Sequence, residues 1–147
     1  MTIRITDERR SQVIDLLRVY IGVALFIKGV SFLGNLEGLL TTMDRARVPA
    51  ASVALAHYVA LAHLGGGLML AVGLATRFAA AVQVPVVLGA VLFVHRQEGF
   101  FTPGQTLELA MLVLFVLVQL VVVGGGPLSV DHLLHRTPPP ETHPHPV

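Results

Sequence analysis

Apolar residues run without interruption along most of this chain. Residues 48–76, 78–95 and 109–130 contain no Asp, Glu, Lys or Arg, and a fourth stretch, 16–36, is interrupted only by Arg18 and Lys28. No alternation of period two appears within them, so each reads as a helix rather than a barrel strand. At a rise of ~1.5 Å per residue, about 20 residues cross a hydrocarbon core ~30 Å thick. All four stretches are that long. The pattern predicts an all-α fold, an integral membrane antiparallel four-helix bundle, with helices over about 13–33, 53–72, 77–93 and 106–123.

Polar punctuation fits these limits. The longest interhelical loop, 34–51, carries Asn35, Glu37, Asp44, Arg45, Arg47 and Pro49, and its middle, 36–43, is expected to form a short helix at the interface. Ser52 is the expected N-cap of the second helix, Gly73 its stop, and Thr76 the N-cap of the third. Gly124, Gly125, Gly126 and Pro127 end the fourth, and Ser129 and Asp131 are placed to cap a short surface helix through His135. Residues 1–135 thus form one domain. The remainder, 136–147, is rich in Pro and His and is expected to be extended and disordered. Its His143 and His145 alternate with proline too loosely for a formed metal site, and no metal site is assigned.

Composition narrows the function. With 54% hydrophobic and 13% charged residues, the chain departs from the roughly 25% charged residues of soluble domains. A net charge of +1 leaves no nucleic-acid footprint. The absence of cysteine excludes disulfides, thiol redox chemistry and thiolate metal ligands, so a redox role requires a borrowed cofactor. Arg4, Arg9 and Arg10 precede the first apolar run, but Asp7, Glu8 and Asp15 intermix with them and no small-x-small cleavage site follows. The first segment therefore reads as an uncleaved membrane helix. Arg4, Arg9, Arg10, Arg18, Arg77 and Arg136 fall on one side of the topology, Arg45, Arg47 and Arg96 on the other, which puts both termini in the cytoplasm.

Counting helical rise sorts the intramembrane polar residues into two layers. In the outer layer, Lys28, His57, His95 and Glu108 contribute one titratable group per helix. A lysine facing lipid is expensive, so Lys28 is expected to face the bundle or to snorkel, with Glu108 as its partner. Two readings stand: a structural ion pair with histidines at headgroup level, or a polar pocket for a quinone headgroup, a small anion or a proton, lined by His63, Lys28, His57 and Glu108. A two-histidine, one-carboxylate metal site has suitable ligands but no supporting spacing. His63 is the deepest histidine and shares a face with Ala56, Ala60, Gly67 and Ala71, whose small side chains admit a neighbouring helix. It is either a packing hydrogen bond or a pocket wall. The inner layer, Arg18, Tyr20, Gln83 and Gln119 with Asp15 one turn from Arg18, reads as interhelical hydrogen bonding that fixes register. It is too scattered for a catalytic site.

Three motifs resemble the signatures of the DoxX family: Leu17-Arg18 followed by Gly22, Phe26 and Gly29; Gly66-Gly67-Leu68-Met69-Leu70-Ala71-Val72-Gly73-Leu74-Ala75-Thr76-Arg77; and Gly124-Gly125-Gly126-Pro127-Leu128-Ser129-Val130-Asp131. The resemblance implies a small bacterial or archaeal four-helix membrane protein acting near quinone, often beside a soluble redox partner, as in a thiosulfate:quinone oxidoreductase. It also implies that Arg18, Thr76, Arg77, Ser129 and Asp131 hold helix ends together or receive a partner at the cytoplasmic boundary. The chain departs from the family pattern where relatives commonly carry Glu and it has His63, where they carry Lys and it has Phe32, and where Gly125 replaces a proline.

The leading expectation is an accessory, non-catalytic subunit of a membrane-associated oxidoreductase in the bacterial inner membrane. It would bind quinone, with no covalent cofactor, or anchor a soluble or membrane oxidoreductase. The alternatives are a small proton or anion transporter and a purely structural bundle that assembles with itself as a homo-oligomer.

Overall fold

The structure, a computed structural model, describes residues 2–97, 99, 103, 104, 106–126 and 128–131, with side chains from Gln12 onward except that of Gln97. The expected tail 136–147, with His143 and His145, and most of the helix expected to reach His135 lie outside the described residues. Within them the fold is all helical, and four segments are long and apolar enough to cross a membrane: Gln12–Gly34, Val53–Val72, Thr76–Val94 and Thr106–Val123.

Helix α1 covers Thr2–Gly34 and so begins well before the apolar run. No Gly or Pro occurs in 2–12, so nothing in that stretch breaks the helix as it leaves the membrane. The short helix expected in the first loop is α2, Leu36–Arg45. The Asn35 side chain caps it by accepting the Gly38 N–H at 2.9 Å. Leu36, Leu39, Leu40 and Met43, at helical spacing, are buried or half-buried, while Glu37, Thr41, Thr42, Asp44 and Arg45 are exposed. That is the division expected of a helix lying on the bundle at the interface.

The second span comprises α3 (Val53–Leu61), a π-helical turn (Ala62–Gly66) and α4 (Gly67–Val72). Ser52 caps it as expected, accepting the Leu55 N–H at 3.2 Å. Gly73 stops it in the left-handed region, at φ +78°, where glycine carries no Cβ penalty. The third span joins α5 (Thr76–Gly89) to a second π-helical turn (Ala90–Val94), and the fourth is α6 (Thr106–Val123).

The first span packs on the second and the fourth on the third, while the second and third meet through the π turn and α4. The first and fourth spans barely touch. Ile21, Leu25, Leu70, Ala79, Ala80, Val87, Leu117 and Leu120 form the core. Between the first two spans the backbones themselves make contact. A Cβ added at Gly22 would enter the backbone of Ala71, one at Gly29 that of Leu64, and one at Gly67 that of Phe26. These pairs count up along α1 as they count down along the second span. Because lipid tails are as apolar as the helices, such close van der Waals approach takes the place of a hydrophobic drive between them.

Gly67→Val should therefore force the two helices apart, at about 1–3 kcal/mol or more of overpacking. Gly65→Ala, at a position with nothing within 4 Å of the added carbon, should leave stability unchanged or slightly raised. Thermal unfolding in detergent followed by far-UV circular dichroism checks both, and equal melting of the two variants would contradict the close approach.

Candidate functional site

Two clusters of polar side chains stand out, at different depths. The first gathers at the end of the bundle where the second span ends, the third begins and the fourth ends. Arg18, 1% exposed, donates from Nη1 to the carbonyls of Leu70 and Ala71, at 2.6 and 3.2 Å. Its Nη2 donates to Asp15 Oδ1 at 3.1 Å. The last carbonyls of a helix lack intrahelical donors and carry the negative end of its dipole, so a buried guanidinium there meets both needs. The other Asp15 oxygen accepts the Leu128 N–H at 3.1 Å, which draws in the segment after the fourth span.

That segment also supplies the cap of the third span. Asp131 accepts the N–H groups of Ala75 and Thr76 on its two carboxylate oxygens, at 2.6 and 2.8 Å, while its own N–H donates to the Gly73 carbonyl at 3.1 Å. This corrects the expectation for Thr76, which is fully buried and whose hydroxyl makes no hydrogen bond among the described residues. A carboxylate offers two charged acceptors to a positive helix end where a hydroxyl offers one neutral acceptor. Arg77 Nη2 reaches the Val122 carbonyl at 3.2 Å, at the end of the fourth span. Ser129 Oγ donates to the Gly126 carbonyl at 2.6 Å. The glycines between them leave room for these side chains, since a Cβ at Gly125 would sit 2.8 Å from both Ser129 Oγ and Thr76 Oγ1, and one at Gly126 would enter the Asp15 carboxylate.

The second cluster lies deeper, around His63, which is 6% exposed. Its Nδ1 is 2.9 Å from the Val59 carbonyl. A carbonyl only accepts, so Nδ1 carries the proton, and in the neutral imidazole Nε2 is the acceptor. The Phe32 ring meets the imidazole edge-on, with centroids 5.2 Å apart at 77°, and Lys28 Nζ lies 5.8 Å from the centroid of that same ring. Two of the three positions noted above as departures from the resembled pattern, His63 and Phe32, are thus in contact. His63 lies within the π turn, and Gln83, fully buried in α5, donates from Nε2 to the carbonyl of Ala62, the first residue of that turn, at 2.9 Å. A side chain of the neighbouring helix thus anchors the first residue of the π turn.

The remaining expected site residues lie elsewhere. Lys28 is exposed beside Phe32, and His57 is exposed with Nδ1 2.8 Å from the Val53 carbonyl of its own helix. Glu108 is half-buried in the first turn of α6, and no ion pair joins it to Lys28 among the described residues. The weak contact between the first and fourth spans accounts for this. Tyr20, 67% exposed, and Gln119, also exposed, face away from the bundle and do not join the inner layer. Gln83 was placed in that layer by depth alone. Its bond to Ala62 had no local signal, because it depends on a π turn 21 residues earlier in the chain.

Asp15→Asn should leave a buried guanidinium without its counter-charge and cost about 3–5 kcal/mol, whereas Asp131→Ala removes a cap and should cost about 0.5–2 kcal/mol. Unfolding of both variants in detergent measures the difference. If Asp131→Ala is the more damaging of the two, the ordering given to the cluster is wrong.

The DoxX family model matches residues 13–96, more than half the chain, and takes in the first two of the three motifs. The third, 124–131, lies beyond the match and is tied to the second by the Asp131 bonds. A relative from Bacillus subtilis (strain 168), named "Putative oxidoreductase CatD", is 28% identical over 121 residues, covering 82% of this chain and 86% of the relative. No solved structure matches. With its membrane-spanning helices and the paired motifs at their ends, the chain belongs to the DoxX family of multi-pass membrane proteins.

Proposed function

We propose that this protein is an accessory membrane subunit of a quinone-linked oxidoreductase, and that it holds a quinone headgroup against His63. The observation that carries this reading is the buried imidazole whose Nδ1 is committed to Val59, which leaves Nε2 as the acceptor of a neutral ring that packs T-shaped against Phe32. An acceptor next to a ring suits a flat, hydroxyl-bearing headgroup, and the nearby Lys28 ammonium suits a carbonyl oxygen or a developing negative charge. A bound quinone would supply reversible two-electron, two-proton chemistry, which the chain's own side chains lack. His63 would accept a hydrogen bond or a proton at Nε2, Phe32 would set the plane of approach, and Gln83 would hold the turn that presents the imidazole.

The name of the Bacillus relative, an oxidoreductase, agrees with this reading. The basic residues favour an orientation with both termini in the cytoplasm, on the same side as the Arg18 cluster, where a soluble partner would dock, and a bacterial inner membrane is what the family resemblance implies. A proton or anion path fits less well. Tyr20 and Gln119, the groups that would link the two layers, face outward, and the Arg18 and Asp15 side chains are engaged in hydrogen bonds.

Photolabelling with an azido-quinone in native-lipid discs tests the proposal. Label should fall on the 53–72 peptide, be displaced by unlabelled quinone, and drop at least ten-fold in His63→Leu, with a smaller loss in Phe32→Leu. Label that spreads over all four spans, or that persists undiminished in His63→Leu, would overturn it.

A further inference from the structure

At the end of the bundle opposite the Arg18 cluster, Ala46, Arg47, Leu92, Phe93 and Arg96 line a shallow depression of about 350 Å³. Arg47 and Arg96 are exposed, and neither guanidinium forms an ion pair or a hydrogen bond among the described residues. Two like charges sharing one depression repel each other unless an anion lies between them.

The local backbone sharpens the point. Helix α2 ends with Arg47 N–H donating to the Asp44 carbonyl at 2.9 Å and Val48 N–H to the Met43 carbonyl at 3.0 Å. The second span ends in the same pattern, with Gly73 bonded to Leu70 and Leu74 to Met69. Gly73 occupies the left-handed position there, and Arg47, at φ +53°, occupies its equivalent in α2. An arginine thus stands where glycine is the ordinary choice, and the turn delivers it to the depression. The opposite wall lies at the membrane boundary, since the third span ends at Val94, with Leu92 and Phe93 inside it and Arg96 just beyond.

We propose that Arg47 and Arg96 form a site for a phosphate group, that of an anionic phospholipid headgroup whose acyl chain continues along Leu92. The planar guanidinium fork matches phosphate oxygens, and a basic notch with an apolar wall at the bilayer surface suits a charged head joined to a tail. The proposal is independent of the reading given to His63.

Native mass spectrometry of the full chain in detergent tests it, with phosphatidylglycerol, phosphatidylcholine and inorganic phosphate as probes. Phosphatidylglycerol should be retained over phosphatidylcholine, with retention falling roughly five-fold in R47Q or R96Q and about twenty-five-fold in the double variant. R45Q, a charge change outside the depression, should behave as wild type and controls for general charge loss. Helical circular dichroism of each variant establishes that it is folded. Displacement of the lipid by millimolar inorganic phosphate would support the phosphate chemistry and identify a free anion as an equally good occupant. Equal retention of the two lipids, or equal retention of phosphatidylglycerol by the wild type and the folded double variant, would overturn the site.

Discussion

A guanidinium enclosed in a bundle whose outside is hydrocarbon must be matched in charge and in hydrogen bonds, because an uncompensated buried ion costs several kcal/mol. Arg18 meets that constraint at its two terminal nitrogens by drawing on three parts of the chain, while its buried Nε has no partner among the described residues. Asp15 comes from its own helix, the Leu70 and Ala71 carbonyls come from the second span, and Asp15 in turn takes the Leu128 N–H from beyond the fourth. The turn after the second span and the segment after the fourth both close over these groups, which is why Cβ atoms at Gly73 and Gly126 would collide with the Arg18 and Asp15 side chains.

The same end of the bundle follows a single electrostatic rule. It collects the C-terminus of the second span, the N-terminus of the third and the C-terminus of the fourth. Arg18 and Arg77 sit on the two negative helix ends, and Asp131 sits on the positive one. Motifs more than a hundred residues apart, from Leu17 to Asp131, therefore form one arrangement, and each loses much of its purpose without the others. The short hairpin between the second and third spans could not satisfy both helix ends from its own residues: Ala75 has no side-chain acceptor and Thr76 is turned inward.

What the sequence made legible follows from the range of the forces involved. The four spans were readable because transfer into lipid depends on composition over some twenty residues. The interfacial helix at Leu36–Arg45, the Ser52 cap and the Gly73 stop were readable because each depends on neighbours within a few positions. The Asp131 cap was not, because it acts across 55 or 56 residues and competes with a plausible local candidate, Thr76. Depth was also readable where direction was not. Counting rise placed Tyr20 and Gln119 at the level of Arg18 and Gln83, but their azimuth about the helix turned them outward. The expected meeting of Lys28 with Glu108 assumed that the first and fourth spans pack closely, and pairing between helices is not written in any one of them.

The π turn in the second span connects this packing to the deeper cluster. Ala62, His63, Gly66 and Gly67 are all buried, a broader face than the buried Ala56 and Ala60 present one and two turns earlier. Each pair serves a different neighbour. Ala62 and Gly66 meet Gln83 of the third span, through a hydrogen bond and through space that a Cβ would fill. His63 and Gly67 meet Phe32 and Phe26 of the first. At the level of the widened turn the second span thus contacts both neighbours at once, with small residues admitting each. The imidazole is held from two sides, by the aromatic ring of α1 and by the turn that Gln83 secures, so its direction is set by helix packing rather than by its own rotamer alone. A side chain oriented by two neighbouring helices will respond to any shift between them, which links the glycine contacts along α1 directly to the chemistry available at His63.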